Sequence, residues 1–110
     1  MAKYDLNRRF YKYVPPSSSE IYDYVPLEGE NILIENVGIS SSSSPETVGH
    51  ICWDILGTPE IMISSYGEVD HKNIEHQIIG DGIKILRITL TNDLTQPAFL
   101  GGFYQGVMKL

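Results

Sequence analysis

The chain has 110 residues, with 14 acidic and 8 basic side chains, a formal net charge of −6, 42% hydrophobic content and one cysteine. That length and composition fit a single globular domain able to bury its own core. They exclude an intrachain disulfide and argue against nucleic acid as the main partner; no apolar run reaches membrane-spanning length, and MAKYDLNRRF lacks the apolar stretch of a secretory signal, so folding in a reducing cytosol is expected.

The charge is unevenly spread. Residues 1–12 carry Lys3, Arg8, Arg9 and Lys12 against Asp5, a net +3, whereas residues 13–110 carry four bases against thirteen acids, a net −9. Five of the seven tyrosines, Tyr4, Tyr11, Tyr13, Tyr22 and Tyr24, lie in the first quarter of the chain. The pentapeptide YKYVP at residues 11–15 returns as YDYVP at residues 22–26, with Lys12 replaced by Asp23. A basic, aromatic lead on an acidic body reads as an interaction arm. PPSSS at residues 15–19 is a spacer, stiff and then flexible. A hairpin about Ser17 and Ser18 would set Lys12 opposite Asp23, but the two prolines remove backbone donors from it.

Downstream, alternation of apolar and polar residues bounded by Gly, Pro, Ser or Asn-Asp marks strands throughout, and no helical period is sustained. Ile21, Val25 and Leu27 alternate against Tyr22 and Tyr24, and Leu27–Glu30 forms a turn. Residues 31–39 give a strand with Ile32 and Ile34 on one face and Leu33 and Val37 on the other, and Gly38 is a candidate bulge. GISSSSSPE at residues 38–46 reads as a low-complexity loop. HICWDIL at residues 50–56 sets Ile51, Trp53 and Ile55 on one face. It turns through Gly57-Thr58-Pro59 into residues 60–66, with Ile61 and Ile63 pointing inward. GEVDHK is a polar connection. Residues 73–79 are expected to pair through Gly80-Asp81-Gly82 with residues 83–91, whose apolar residues on both faces suit a central strand. Asn92-Asp93 ends that strand, and AFLGGFYQGVMKL closes the chain as a strand kinked at Gly101-Gly102. Seven or eight such strands predict an all-β protein: one antiparallel β-sandwich, jelly-roll-like in the absence of a cysteine pair, at residues 20–110, preceded by an extended arm and spacer at residues 1–19.

Catalytic sets are missing. HKNIEH (His71 to His76) approaches an inverted zinc motif but has one residue too many, and Glu75 and His76 are neighbours that a strand points to opposite faces. Cys52 sits between Ile51 and Trp53 as a small buried hydrophobe. The GDG sequence is a turn. Carboxylates are not paired as a glycosidase requires, and Asp81 and Asp93 at loop tips gather too few oxygens for calcium. A non-enzyme with no metal and no cofactor is expected.

Partner contacts are therefore assigned to the arm: Lys3, Tyr4, Arg8, Arg9, Phe10, Tyr11, Lys12 and Tyr13. Ordering 12 residues costs roughly 12–24 kcal/mol. Burying the four rings returns about 20 kcal/mol, so an isolated arm would gain order only against a partner. Adding as a strand to a neighbour's sheet edge, or laying its cations on the acidic body of a second copy, would supply one.

A β-sandwich with a basic arm and no catalytic set, together with GDGIKILRITLTND and AFLGGFYQG within residues 80–106, resembles small virion proteins of tailed phages, of the capsid cement, decoration or tail accessory kind. The resemblance implies a non-catalytic structural protein that forms homo-oligomers or binds a major capsid or tail protein. It would be made in the host cytoplasm and incorporated into the virion, with neither nucleic acid nor membrane as partner. The competing expectation is a carbohydrate- or receptor-binding sandwich using Tyr66, Phe103 or Tyr104 as stacking platforms.

Overall fold

The computed structural model describes residues 3–40, 47–67 and 70–109. They form eight strands: β1 (Lys3–Val14), β2 (Ser18–Tyr24), β3 (Asn31–Ser40), β4 (Thr47–Trp53), β5 (Glu60–Tyr66), β6 (Asp70–Ile79), β7 (Leu86–Asn92) and β8 (Ala98–Lys109). There is no helix among the described residues. Two four-stranded antiparallel sheets result, sheet A in the order β1-β8-β3-β6 and sheet B in the order β2-β7-β4-β5. They enclose one core, to which Leu6, Val14, Ile34 and Leu100 contribute from sheet A and Ile51, Trp53, Ile88 and Leu90 from sheet B. The all-β, two-sheet expectation agrees with this arrangement.

The N-terminal segment differs from expectation. Residues 3–14 are not a separate arm but the edge strand of sheet A, paired with β8 from Lys3 opposite Lys109 to Val14 opposite Ala98. Val14 and Leu6 are buried in the core, and that burial, with the backbone ladder, holds the segment without a second molecule. A boundary between residues 19 and 20 would fall inside β2. Nor do β1 and β2 form a hairpin: Lys12 pairs with Leu100, and Asp23 pairs with Arg87 in the other sheet.

The two pentapeptides thus occupy different environments. Tyr11 and Tyr13 point away from the core on sheet A. Tyr22 and Tyr24 point between the sheets, where Phe10 stacks on Tyr22 with ring centroids 4.1 Å apart and the Arg8 guanidinium lies 4.3 Å from the centre of the Tyr24 ring. This pair of stacks closes one open side of the sandwich. Asp23 faces outward on sheet B and accepts two hydrogen bonds from Arg87, 2.6 Å from Nε and 2.8 Å from Nη2. These bonds, more than the charge alone, hold the Asp23 carboxyl below its ordinary value.

Two bulges change which residues face inward. Glu35 is extra relative to β8, since Ile34 pairs with Gly106 and Asn36 with Gln105. The slip reverses the alternation, so Ile32, Ile34, Val37 and Ile39 are all buried, and Val37 does not share a face with Leu33. The bulge lies at Glu35, not Gly38. In β5, Ile51 pairs with Ile63 but Cys52 with Ile61, leaving Met62 extra. Met62 and Ile63 are buried, while Ile61, expected inside, is 65% exposed.

The β4–β5 hairpin forms as expected, but the one expected through Gly80-Asp81-Gly82 does not. β6 pairs with β3 in sheet A and β7 lies in sheet B, so this turn carries the chain across the sandwich. It is anchored to the β2–β3 turn by Gly80 N–H to the Glu30 carbonyl (2.8 Å) and Gly82 N–H to the Pro26 carbonyl (2.9 Å). The central position expected for β7 is observed, between β2 and β4. β8 runs through Gly101-Gly102 as one strand with no break in its pairing to β1. Within the expected loops, residues 38–40 belong to β3, Asp70 and His71 to β6, and residues 41–46 and 68–69 lie outside the described residues.

Candidate functional site

The outer face of sheet A carries an aromatic cluster arranged in cross-strand rows. The first row runs Arg9, Phe103, Gly38, His71 across β1, β8, β3 and β6. The second runs Tyr11, Gly101, Ser40, and the third pairs Tyr13 with Phe99. Tyr11 is 69% exposed, Tyr13 50% and Phe99 55%. Three large rings left in water on one face exceed what scattered surface residues would give.

Ring packing fixes the geometry. Tyr11 stacks on Phe99 with centroids 5.6 Å apart, and Tyr13 meets Phe99 edge-on at 5.3 Å. In the first row His71 stacks on Phe103 at 5.8 Å, and the Arg9 guanidinium sits 4.9 Å from the centre of the Phe103 ring. Phe103 can lie flat on the sheet because Gly38 has no side chain beneath it; a Cβ there would fall within the Phe103 ring.

Between these groups the second row has a gap, since Gly101 presents only backbone. The result is a cleft of about 280 Å³ with Gly101 and Gly102 as floor, Tyr11 and Phe103 as walls, polar groups from Arg9, Ser40 and His71 around it, and Asp70 at its margin. A Cβ on Gly101 would stand 3.0 Å from the Phe10 carbonyl oxygen and 3.0 Å from Tyr11 Cδ2, so the cleft depends on the glycine. Apolar ring faces beside a few convergent hydrogen-bonding groups are the composition of a small-molecule subsite.

The residues picked from sequence are divided by this arrangement. Arg9 and Tyr11 line the cleft, Tyr13 flanks it, and Phe10 also borders it although its ring, like the side chains of Arg8 and Lys12, lies on the opposite face of β1; for Lys3 and Tyr4 only the backbone pairing is described. Phe103 belongs to the cleft. Tyr66 lies on sheet B, edge-on to His50, far from it in the fold. Tyr104 is not a platform: it is buried in the core, and loss of hydration there pushes its phenol up to about 12. Ser40, Asp70, His71, Phe99 and Gly101 were not anticipated. The spacing of Phe99, Gly101 and Phe103 on one face of a strand was the available signal.

Other chemically capable groups do not form a second centre. His71 faces the cleft, while His76 turns to the opposite face with Nε2 3.6 Å from Glu60 Oε2 on β5, so HKNIEH cannot converge on one ion. Among the described residues no cluster of three metal-binding side chains exists. Cys52 is half-buried on the outer face of sheet B, and burial pushes its thiol up, away from the thiolate. Ser64 and His50 share a 3.0 Å hydrogen bond there, with no carboxylate hydrogen-bonded to the ring among the described residues.

No family model matches the chain, and no curated protein matches it. Among solved structures it is similar to the crystal structure of PirA, with 14% identity, a TM-score of 0.55, and coverage of 87% of this chain and 92% of that one. At that identity the likeness concerns the fold, an all-β sandwich-like architecture shared over nearly the full length of both chains.

Proposed function

We propose that this protein is a non-catalytic binding module that holds a saccharide in the sheet A cleft, on a jelly-roll scaffold. The jelly-roll reading is supported by the pairings β1·β8, β2·β7, β3·β6 and β4·β5, the ladder of one long hairpin rolled into two sheets. Every connection but β4–β5 passes between sheets. The observation that carries the saccharide reading is the exposed stacked ring of Tyr11 beside a glycine-floored gap. A pyranose offers an apolar face to such a ring and hydroxyls to Arg9, Ser40 and His71. The test is a glycan array followed by calorimetry. Tyr11→Ala and Phe99→Ala should each weaken binding about tenfold, while Tyr66→Ala on the opposite sheet leaves it unchanged. Equal binding by all four proteins would defeat the assignment.

The assembly reading, a virion cement or decoration protein bound to neighbouring subunits through residues 3–13, retains one supporting observation. β1 is a 12-residue edge strand whose outer backbone groups face no other strand among the described residues, a template for strand addition. Light scattering over a concentration series separates the two readings, since a lattice protein self-associates or binds a subunit while a monomeric lectin does neither.

A further inference from the structure

Resting on the saccharide reading, we infer that the ligand of the cleft carries a carboxylate, as in a hexuronate or a sialic-acid-like sugar, and that Arg9 receives it. The polar groups of the cleft are unevenly placed. Its β1 wall carries the guanidinium of Arg9, and its β3 and β6 walls carry Ser40 and His71. Among the described residues Arg9 makes no ion pair, although Asp23, Asp81 and Glu60 each have a basic or histidine partner. The guanidinium is held over the Phe103 ring, 4.9 Å from its centre, which restricts a flexible side chain before any ligand arrives. A guanidinium so placed offers a planar donor fork that matches a carboxylate with two parallel hydrogen bonds, which an isolated hydroxyl does not exploit. Ser40 and His71, on the outer face of β3 and β6, oppose it across the cleft as hydrogen-bonding groups for sugar hydroxyls. The ligand is thereby oriented, with acid toward β1, hydroxyls toward β6 and its apolar face on Tyr11.

The experiment is calorimetry of the full chain with a matched pair of oligosaccharides, one ending in glucuronate and one in glucose through the same linkage. Measurements are made with wild type, Arg9→Gln and Arg9→Lys at low and high salt. The expected result is a preference of about fivefold or more for the glucuronate form, weakened by salt, abolished by Arg9→Gln and partly kept by Arg9→Lys. Arg9→Gln weakens the neutral form less than the glucuronate form, since a glutamine amide still hydrogen-bonds a hydroxyl but does not pair with a carboxylate charge. Equal affinity for the two sugars, unaffected by Arg9→Gln, overturns the carboxylate inference and leaves the saccharide reading standing. Binding of neither sugar at millimolar concentration, with no other glycan retained on the array, overturns both.

Discussion

Asn92 is the polar group on which the sandwich depends most. It ends β7, is fully buried, and its side chain ties the adjoining β7–β8 loop to the distant end of β1. Its amide donates to the Val14 carbonyl at the end of β1 (3.0 Å) and to the Gln96 carbonyl in the β7–β8 loop (2.9 Å), with a longer contact to the Pro15 carbonyl at 3.4 Å. Its own oxygen accepts from Leu94 N–H at 2.9 Å. Asn92→Ala removes all of these. The Val14 bond is buried, and an acceptor left unpaired there costs about 1–3 kcal/mol. The Gln96 and Leu94 groups are partly accessible, so water replaces their partner and each loss is about 0.5–1 kcal/mol. The expected destabilisation is about 2–5 kcal/mol. With a urea m-value of about 1.2 kcal/mol/M, the unfolding midpoint falls by about 2–4 M with unchanged slope. Asn92→Asp keeps the acceptor but replaces both donors with charge aimed at carbonyl oxygens, so its loss equals or exceeds that of alanine. A loss under about 0.5 kcal/mol for Asn92→Ala, or an aspartate variant more stable than the alanine one, would refute this reasoning.

Further outcomes follow from the same geometry. A chain starting at Ser17 loses Leu6 and Val14 from the core and strips one side of β8, so it should lack a cooperative thermal transition; a folded monomer would restore the free-arm description. Gly101→Ala should lower the melting temperature by several degrees, because Tyr11 can swing aside but the Phe10 carbonyl in the β1–β8 ladder must shift, and should weaken saccharide binding about tenfold by filling the cleft floor. Tyr104 is neutral and buried, and its phenol is raised from 10.0 to about 12. Its preference for the protonated state supports folding fully below pH 10 and is lost as pH rises toward 12. Urea melts across that range should show the decline, and Tyr104→Phe should flatten it.

Strand positions were legible because burial on one face imposes alternation, and most predicted strands overlap the observed ones. Where legibility failed, the causes are specific. A bulge reverses alternation after one residue, which misplaced Val37 and Ile61, and nothing in the local composition around Glu35 or Met62 announces it. A Gly-Asp-Gly turn serves a hairpin and a sheet-to-sheet crossing equally well, so the partners of β6 and β7 were set by the rest of the sandwich. β1 escaped because its polar residues suit an edge strand as well as a solvated tail, and its partner β8 lies at the far end of the sequence. The cleft was half legible. Arg9, Tyr11 and Phe103 stand out as residue types, but they become one site only when β8 is inserted between β1 and β3.

That insertion has a consequence during synthesis. Lys3 finds its place opposite Lys109, so β1 must wait for β8, about 100 residues further along, before it can join sheet A. At about 5–20 residues per second, the nascent chain carries an unpaired strand with Phe10, Tyr11 and Tyr13 in water for roughly 5–20 s. Folding is therefore dominated by contacts between distant parts of the chain and belongs to the slow, post-synthetic kind. The four cations spread along β1 keep such waiting strands from pairing with one another on neighbouring chains. The basic start of an acidic protein acquires in this way a use that precedes any ligand.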